Sequence, residues 1–322
     1  MVNSNNYGIN KLYVLGNGFD LHHDIKCSYQ NFKYWLSRNR KPVYANLKRL
    51  YRNINHDWWS AFEENLANFD PDRYPMFIAG ISYFKQIRYL EKYYGEDGRA
   101  FIDTLEYDDV EITGNPYRRA DQIARFEMRT LKNDLNEAFG EWVLHLNKPK
   151  KSKKENLDEN AFFFTFNYTR TLENLYGIED DQVVHLHGSV DNKYFIIGHN
   201  MSAEEMINRD FEENVYKRDQ EKDQGQEEAR IAMFEAAEEM RKPVESVIQE
   251  HASKFNLLNG IEEVEILGLS YSPIDIPYLK EIFDIAGKDV KVILGWHVPR
   301  DQEKAKEFAK TMGLKKIKYR NF

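Results

Sequence analysis

The sequence predicts an α/β protein built on a mostly parallel sheet, and three observations carry that prediction. Apolar runs of four to six residues recur along the chain and read as strands buried on both faces. The last part alternates strand, helix, strand, helix, strand, the signature of βαβ units. Between the strands lie two longer stretches, about 29–147 and 204–255, whose composition is helical and charged. The expected organisation is therefore a single domain over residues 1–322, with an α/β core and two helical insertions.

The elements follow in order. Lys11–Leu15 (KLYVL) is the first strand and runs straight into Gly16-Asn17-Gly18. Within the first insertion, Phe126, Leu131, Leu135, Phe139, Trp142 and Val143 recur at helical spacing, which makes Phe126–Leu144 an amphipathic helix. The basic run Lys148–Lys154 reads as a solvated loop. Strands are expected at Ala161–Thr165, Gln182–Leu186 and Tyr194–Ile197, with a helix over Thr169–Tyr176. The second insertion is dense in Glu, Lys, Arg and Ala, and Pro243 starts or kinks a helix in it. Val264–Leu267, helix Ile274–Ala286, Val290–Leu294, helix Asp301–Thr311 and Lys316–Tyr319 complete the chain.

Composition narrows the function. The 322 residues carry 45 basic and 53 acidic side chains, a formal charge of −8, which argues against non-specific nucleic-acid binding. Hydrophobic residues make up 42%, enough for a core, so wholesale disorder is excluded. Cys27 is the only cysteine, so neither an internal disulfide nor a cysteine-built metal site can form. No apolar run approaches the ~20 residues that span a bilayer, and the first ten residues lack the features of a signal peptide. A cytoplasmic location is expected.

Four segments place polar or small residues at strand ends, where open α/β folds bind ligands. Gly16 and Gly18, followed by Asp20, allow a tight turn and close approach to a phosphate. An ordinary turn is the alternative, because Leu21 stands where a dinucleotide fingerprint wants a third glycine. Asp20 either holds a ligand hydroxyl or caps the following helix. Asn167, in Phe166-Asn167-Tyr168-Thr169, presents an amide at the sheet edge or caps the next helix. His185-Leu186-His187-Gly188-Ser189 puts both histidines on one side of a strand; with His199 they are the candidates for a metal reading, which the missing cysteines disfavour. Gly268-Leu269-Ser270-Tyr271-Ser272-Pro273-Ile274-Asp275 leads from a strand into a helix with Ser272 as N-cap and Pro273 first, and offers N–H groups and a hydroxyl to a phosphate or ribose. Asp275 suits the start of a helix whether or not a ligand binds.

Taken together, GNGFD, FNYT, HLHGS, GHN and GLSYSPID, each after a successive strand, resemble the bacterial AbiH abortive-infection family. LGNGFDLHHDIKCSYQNF and Trp58–Leu66 (WWSAFEENL) are also similar to that family, and the resemblance runs from about Leu12 to Leu279. More distantly, the order glycine turn, strand-ending Asn, His-Gly, Gly-x-Ser is similar to the sirtuin-like superfamily. That similarity implies a Rossmann-like fold, NAD as the ligand, and NAD cleavage rather than protein deacetylation, since the zinc-binding cysteines of deacetylating sirtuins are missing. Carried over, Gly16 and Gly18 approach the diphosphate, Asn167 contacts the nicotinamide ribose, His187 is the base, and Gly268 with Ser270 lines the other ribose. Asn17, Asp20, Gly188 and Asp275 complete the expected ligand-binding set. Two positions depart from the pattern: Asn17 stands where sirtuins carry alanine, and Thr169 where they usually have aspartate.

The implied function is an antiphage effector that hydrolyses the nicotinamide N-glycosidic bond of NAD without a metal. Nicotinamide leaves as a neutral molecule, so the site needs to stabilise an oxocarbenium-like ribose and place a water rather than supply a strong acid. A toxic hydrolase must be restrained, which implies a homo-oligomer or a defence-system partner protein. Two other readings stand beside it. One is a regulatory module that binds NAD or ADP-ribose without catalysis. The other is a nuclease, disfavoured by the charge and the lack of a carboxylate cluster for Mg²⁺.

Overall fold

The computed structural model describes residues 10–51, 53–70, 83–104, 120–146, 152–191, 195–214 and 224–322. The chain divides into two compact units. Residues 1–32, 138–197 and 243–322 form the sheet unit, and residues 33–137 and 198–242 form a helical one.

The sheet unit holds six strands: β1 (Lys11–Leu15), β2 (Phe162–Thr165), β3 (Val183–His185), β4 (Glu263–Leu267), β5 (Lys291–Trp296) and β6 (Lys316–Asn321). Their order is β3-β2-β1-β4-β5-β6 and every pairing is parallel. Alternation assigns the strand residues to two faces. Leu12, Val14, Phe162, Phe164, Val264, Ile266, Val292 and Leu294 pack against helices Ile276–Ala286 and Pro299–Met312. Tyr13, Leu15, Phe163 and Val183 point the other way, onto Phe19, Leu157, Leu172 and Tyr176. Phe164 also meets Phe255, so the end of the expected second insertion, residues 243–255, belongs to this core with Val244 and Val247. Helix Val244–Glu250 does begin directly after Pro243.

The expected strand at Tyr194–Ile197 is not formed over 195–197; Tyr194 lies outside the described residues. Phe195, Ile196 and Ile197 are nevertheless buried. Their apolar character is used by a non-repetitive segment whose backbone is tied down singly: Ile196 N–H donates to the His187 carbonyl at 2.9 Å, and the Tyr168 hydroxyl donates to the Ile196 carbonyl at 2.9 Å. Helix Ile276–Ala286 starts two residues later than expected. Ser272 accepts from the N–H groups of Ile274 and Asp275 and so closes a turn ahead of the helix, leaving Asp275 at its N-cap. Of the basic run, Lys148–Lys151 lies outside the described residues, and Ser152–Lys154 is loop.

In the helical unit, Tyr51, Trp58, Trp59 and Phe62 form one aromatic cluster. Among the described residues, buried or nearly buried ion pairs there include Arg49 with Glu127 at 3.2 Å, Arg230 with Asp210 at 2.6 Å and Lys242 with Glu63 at 2.7 Å. Tyr89 and Tyr94 donate their hydroxyls to the same Glu127 oxygen at 3.2 and 3.0 Å, so that the charge is hydrogen-bonded as well as paired.

What positions the carboxyl edge of the sheet is the contact between the loops after β1 and β4. Gly16 N–H donates to the Leu267 carbonyl at 3.0 Å and Gly18 N–H to the Gly268 carbonyl at 2.8 Å. Gly268 has φ +69°, and a Cβ there would lie 2.1 Å from the Phe19 nitrogen. Gly260 also has positive φ, at +85°, but nothing stands within 4 Å of its Cβ position. Gly260→Ala is expected to cost only the ~1–2 kcal/mol of a left-handed side-chain-bearing residue. Gly268→Ala adds a backbone collision that only loop displacement relieves, so urea unfolding should show a distinctly larger loss. Equal losses would refute this account of the loop contact.

Candidate functional site

The residues singled out in the sequence gather after the first four strands of the sheet, β1 to β4. The glycines come together most closely. A Cβ on Gly16 would lie 2.6 Å from the Gly268 carbonyl oxygen, and one on Gly18 would lie 2.7 Å from the Gly268 Cα. The glycine requirement at all three positions thus follows from backbone packing, and it holds whether or not a phosphate binds. The same loop holds Tyr271 at φ +52°, a conformation that strains a residue with a bulky side chain. Asn17 is turned to a structural use: its amide donates to the Cys27 carbonyl at 3.2 Å while the Cys27 thiol donates to the Asn17 carbonyl at 3.7 Å. Ser270 is exposed, and its carbonyl accepts from Lys304 at 3.4 Å. Gly188 has φ +83° and its N–H donates to the His185 carbonyl at 3.1 Å, which ends β3 in a tight turn.

Asp20 does not cap its helix. The helix runs from Asn17 to His22, its N-cap is Gly16 without a side-chain bond, and Asp20 sits inside it, 1% exposed. One carboxylate oxygen, Oδ2, accepts from the Thr169 hydroxyl, which in turn lies 3.0 Å from the Thr171 hydroxyl. The other, Oδ1, is buried without a hydrogen-bond partner among the described residues. Burial pushes this carboxyl up to about 6, against the Thr169 and Thr171 hydroxyls and the nearby His185, all of which favour the ionised form.

Asn167 follows β2, where ladder pairing has just ended. Its N–H donates to the Thr165 hydroxyl at 3.1 Å, and its carbonyl accepts from His185 Nδ1 at 2.8 Å. The residue is 6% exposed, yet its side-chain amide makes no hydrogen bond among the described residues. Neither does it cap a helix: the expected helix at Thr169–Tyr176 is reduced to a π-type turn over Leu172–Tyr176, because the bonds to Asp20 and His185 hold the segment 167–170 out of a helix.

The two histidines of HLHGS do not share a side. β3 ends at His185, whose Nε2 stands 2.9 Å from Glu173 Oε1. His187 lies beyond the strand among three rings, with centroids 5.0 Å from Phe166, 5.5 Å from Tyr278 and 6.3 Å from Tyr168. The turn at Gly188 breaks the alternation on which the expectation rested. Both nitrogens of His199 are engaged inside the helical unit, by the Ala237 carbonyl at 3.1 Å and the Met201 N–H at 3.2 Å. Among the described residues no group of three or more His, Cys, Asp or Glu is placed to hold a metal ion.

Sequence reasoning named Thr169 and His185 for other reasons but missed Thr171, Glu173 and their grouping beside Asn167, with Arg170 paired to Asp180 and Asp191.

Fold and site together define an open, all-parallel α/β protein with its polar side chains gathered at the carboxyl edge of the sheet, around the β1/β4 junction from which strand order runs both ways. The chain matches the model of the family described as bacteriophage abortive infection AbiH over residues 12–296, and it belongs to that family. Membership implies a role in abortive infection by phage. No curated protein and no solved structure matches it. No helix among the described residues is long and apolar enough to cross a membrane.

Because the Asp20 carboxyl titrates near 6 when folded, against 3.8 ordinarily, the folded state holds its proton more tightly. Its contribution to stability is full below about pH 4, falls as the pH rises to about 6, and is level above that. Two units at about 1.4 kcal/mol each give ~3 kcal/mol. Urea unfolding of wild type and Asp20→Asn across this range should show the difference shifting toward the variant by that amount; a pH-independent difference would overturn the assignment.

Proposed function

We propose that this AbiH-family protein is an abortive-infection effector that hydrolyses NAD at the nicotinamide N-glycosidic bond, on a Rossmann-like sheet similar to that of the sirtuin-like superfamily. The observation that carries the reading is Asn167: a nearly buried amide, without a protein partner among the described residues, at the carboxyl end of the strand next to the β1/β4 junction. Bound to no described residue, the amide is available to a ligand hydroxyl or a held water. The strand order supports the choice of ligand, since it is that of doubly wound dinucleotide-binding sheets.

In this reading NAD is the substrate. Asn167 orients the ribose hydroxyls or the attacking water. As the C–N bond breaks, its electron pair passes to the nicotinamide ring, and the water oxygen bonds to the ribose carbon. His187 accepts the water's proton, help typically worth about 10²–10⁴-fold. Gly16, Gly18 and Gly268 bring the backbone to the diphosphate and ribose, with Asn17, Asp20, Gly188, Ser270 and Asp275 around them.

One observation favours a second reading, a nucleotide-binding regulatory module without catalysis: His187 is only 3% exposed and is enclosed by Phe166, Tyr168 and Tyr278. The two readings part in one experiment. Purified protein is incubated with NAD, and nicotinamide and ADP-ribose are separated. Wild type is expected to turn NAD over, while Asn167→Ala and His187→Ala, each with intact folding, fall by at least about 10²-fold. Calorimetric binding of NAD without turnover would select the regulatory module, and no binding would sink both.

A further inference from the structure

The peptide groups on either side of the Asn167 side chain are held by side chains, not by the sheet. Thr165 accepts from the Asn167 N–H, and the His185 ring takes the carbonyl. The same ring reaches Glu173 with its other nitrogen, at 2.9 Å, and the Arg170 Nε lies 3.7 Å from that Glu173 oxygen. His185 therefore closes a ring of chain from residue 167 to residue 173, with an imidazole as the bridge. Both ring nitrogens face acceptors, so the bridge is complete only when both donate. The Glu173 side chain is 8% exposed, and its second oxygen has no partner among the described residues, so its contact with His185 is its principal anchor besides Arg170. Arg170 is itself fixed by Asp180 and Asp191. Asp20 also faces this bridge, reached through Thr169.

We propose that His185 and Glu173 are positioning residues for Asn167: His185 sets the direction of the Asn167 amide through its bond to the Asn167 carbonyl, and Glu173 holds the ring in the orientation that makes that bond. The catalytic part of this assignment rests on the NAD-cleaving reading above; the geometric part does not. A misplacement of the amide by about 1 Å is enough to cost on the order of 10²-fold in rate, and loss of partners that orient a ligating side chain typically costs ~10–100-fold.

Two substitutions of the one residue separate this role from space-filling. The side-chain nitrogen of asparagine falls where Nδ1 of histidine lies, and that of glutamine falls where Nε2 lies. His185→Asn keeps the bond to the Asn167 carbonyl and drops the one to Glu173; His185→Gln does the reverse. The expected result is that His185→Asn loses less than about tenfold in kcat, the cost of the dropped Glu173 contact, whereas His185→Gln loses about 10–100-fold with a smaller change in KM. Equal losses, or a worse asparagine variant, would overturn the assignment.

A second readout needs no turnover. In protein labelled with ¹⁵N at asparagine side chains, the Asn167 amide is assigned by its disappearance in Asn167→Asp. His185→Gln should move that signal and His185→Asn should leave it near its wild-type position, each variant checked for an unchanged melting temperature. An Asn167 signal indifferent to His185→Gln would sink the positioning role. A signal that behaves as expected in a protein that neither binds nor cleaves NAD would sink the NAD reading and leave the positioning role standing.

Discussion

The approach of two loops governs the site end of this molecule. β1 and β4 lie side by side, and beyond their last residues the chains continue so close together that Gly18 donates to the Gly268 carbonyl and neither loop has room for a Cβ. Parallel strands leave their carboxyl ends level, so the loops that follow must diverge, collide or interlock. Here they interlock, and interlocking requires glycine on both sides. From that contact the helix bearing Asp20 takes its direction, and Asp20 in turn holds Thr169, two residues beyond Asn167.

Polar groups at the edge are arranged as anchors of one short segment. Residues 165–173 receive a carboxylate from the β1 side, which Thr169 meets with its hydroxyl, and an imidazole from the β3 side. Such a segment is unfavourable to hold. Its surroundings contain the Asp20 carboxyl, whose burial disfavours its charge, and carboxylate oxygens at Asp20 and Glu173 with no hydrogen-bond partner among the described residues. Packing alone does not call for these groups, because apolar residues of similar volume would be easier to bury. Buried cost of this kind, at the edge where open sheets bind ligands, is what a preorganised site looks like from the side of stability.

Much of this was legible in the sequence. Continuous runs such as KLYVL and VKVIL announced strands buried on both faces, and six of the seven expected strands formed within a residue or two of their expected ends. The exception, Tyr194–Ile197, has a strand's composition, but its described residues are buried through single hydrogen bonds from elsewhere in the chain. Periodicity reports burial, and it cannot report which backbone partner satisfies it. The glycines were read as a tight turn or a ligand approach, and local sequence could not show that they also answer to each other across about 250 residues. The part played by His185 and Glu173 escaped notice because it lies in a contact that local spacing does not encode.

The β1/β4 junction also has a consequence in time. β1 can pair with β2 once residues 162–165 are made, but its other partner, β4, arrives only with residues 263–267. At roughly 5–20 residues per second, β1 waits tens of seconds for that partner. Pairings this distant in sequence are slow to nucleate, since the intervening chain must first be ordered. The carboxyl edge therefore assembles late, and a chain interrupted before β4 carries GNGFD, FNYT and HLHGS without the junction that aligns them. For a protein whose family acts in abortive infection, nascent and broken chains lack an assembled site by construction.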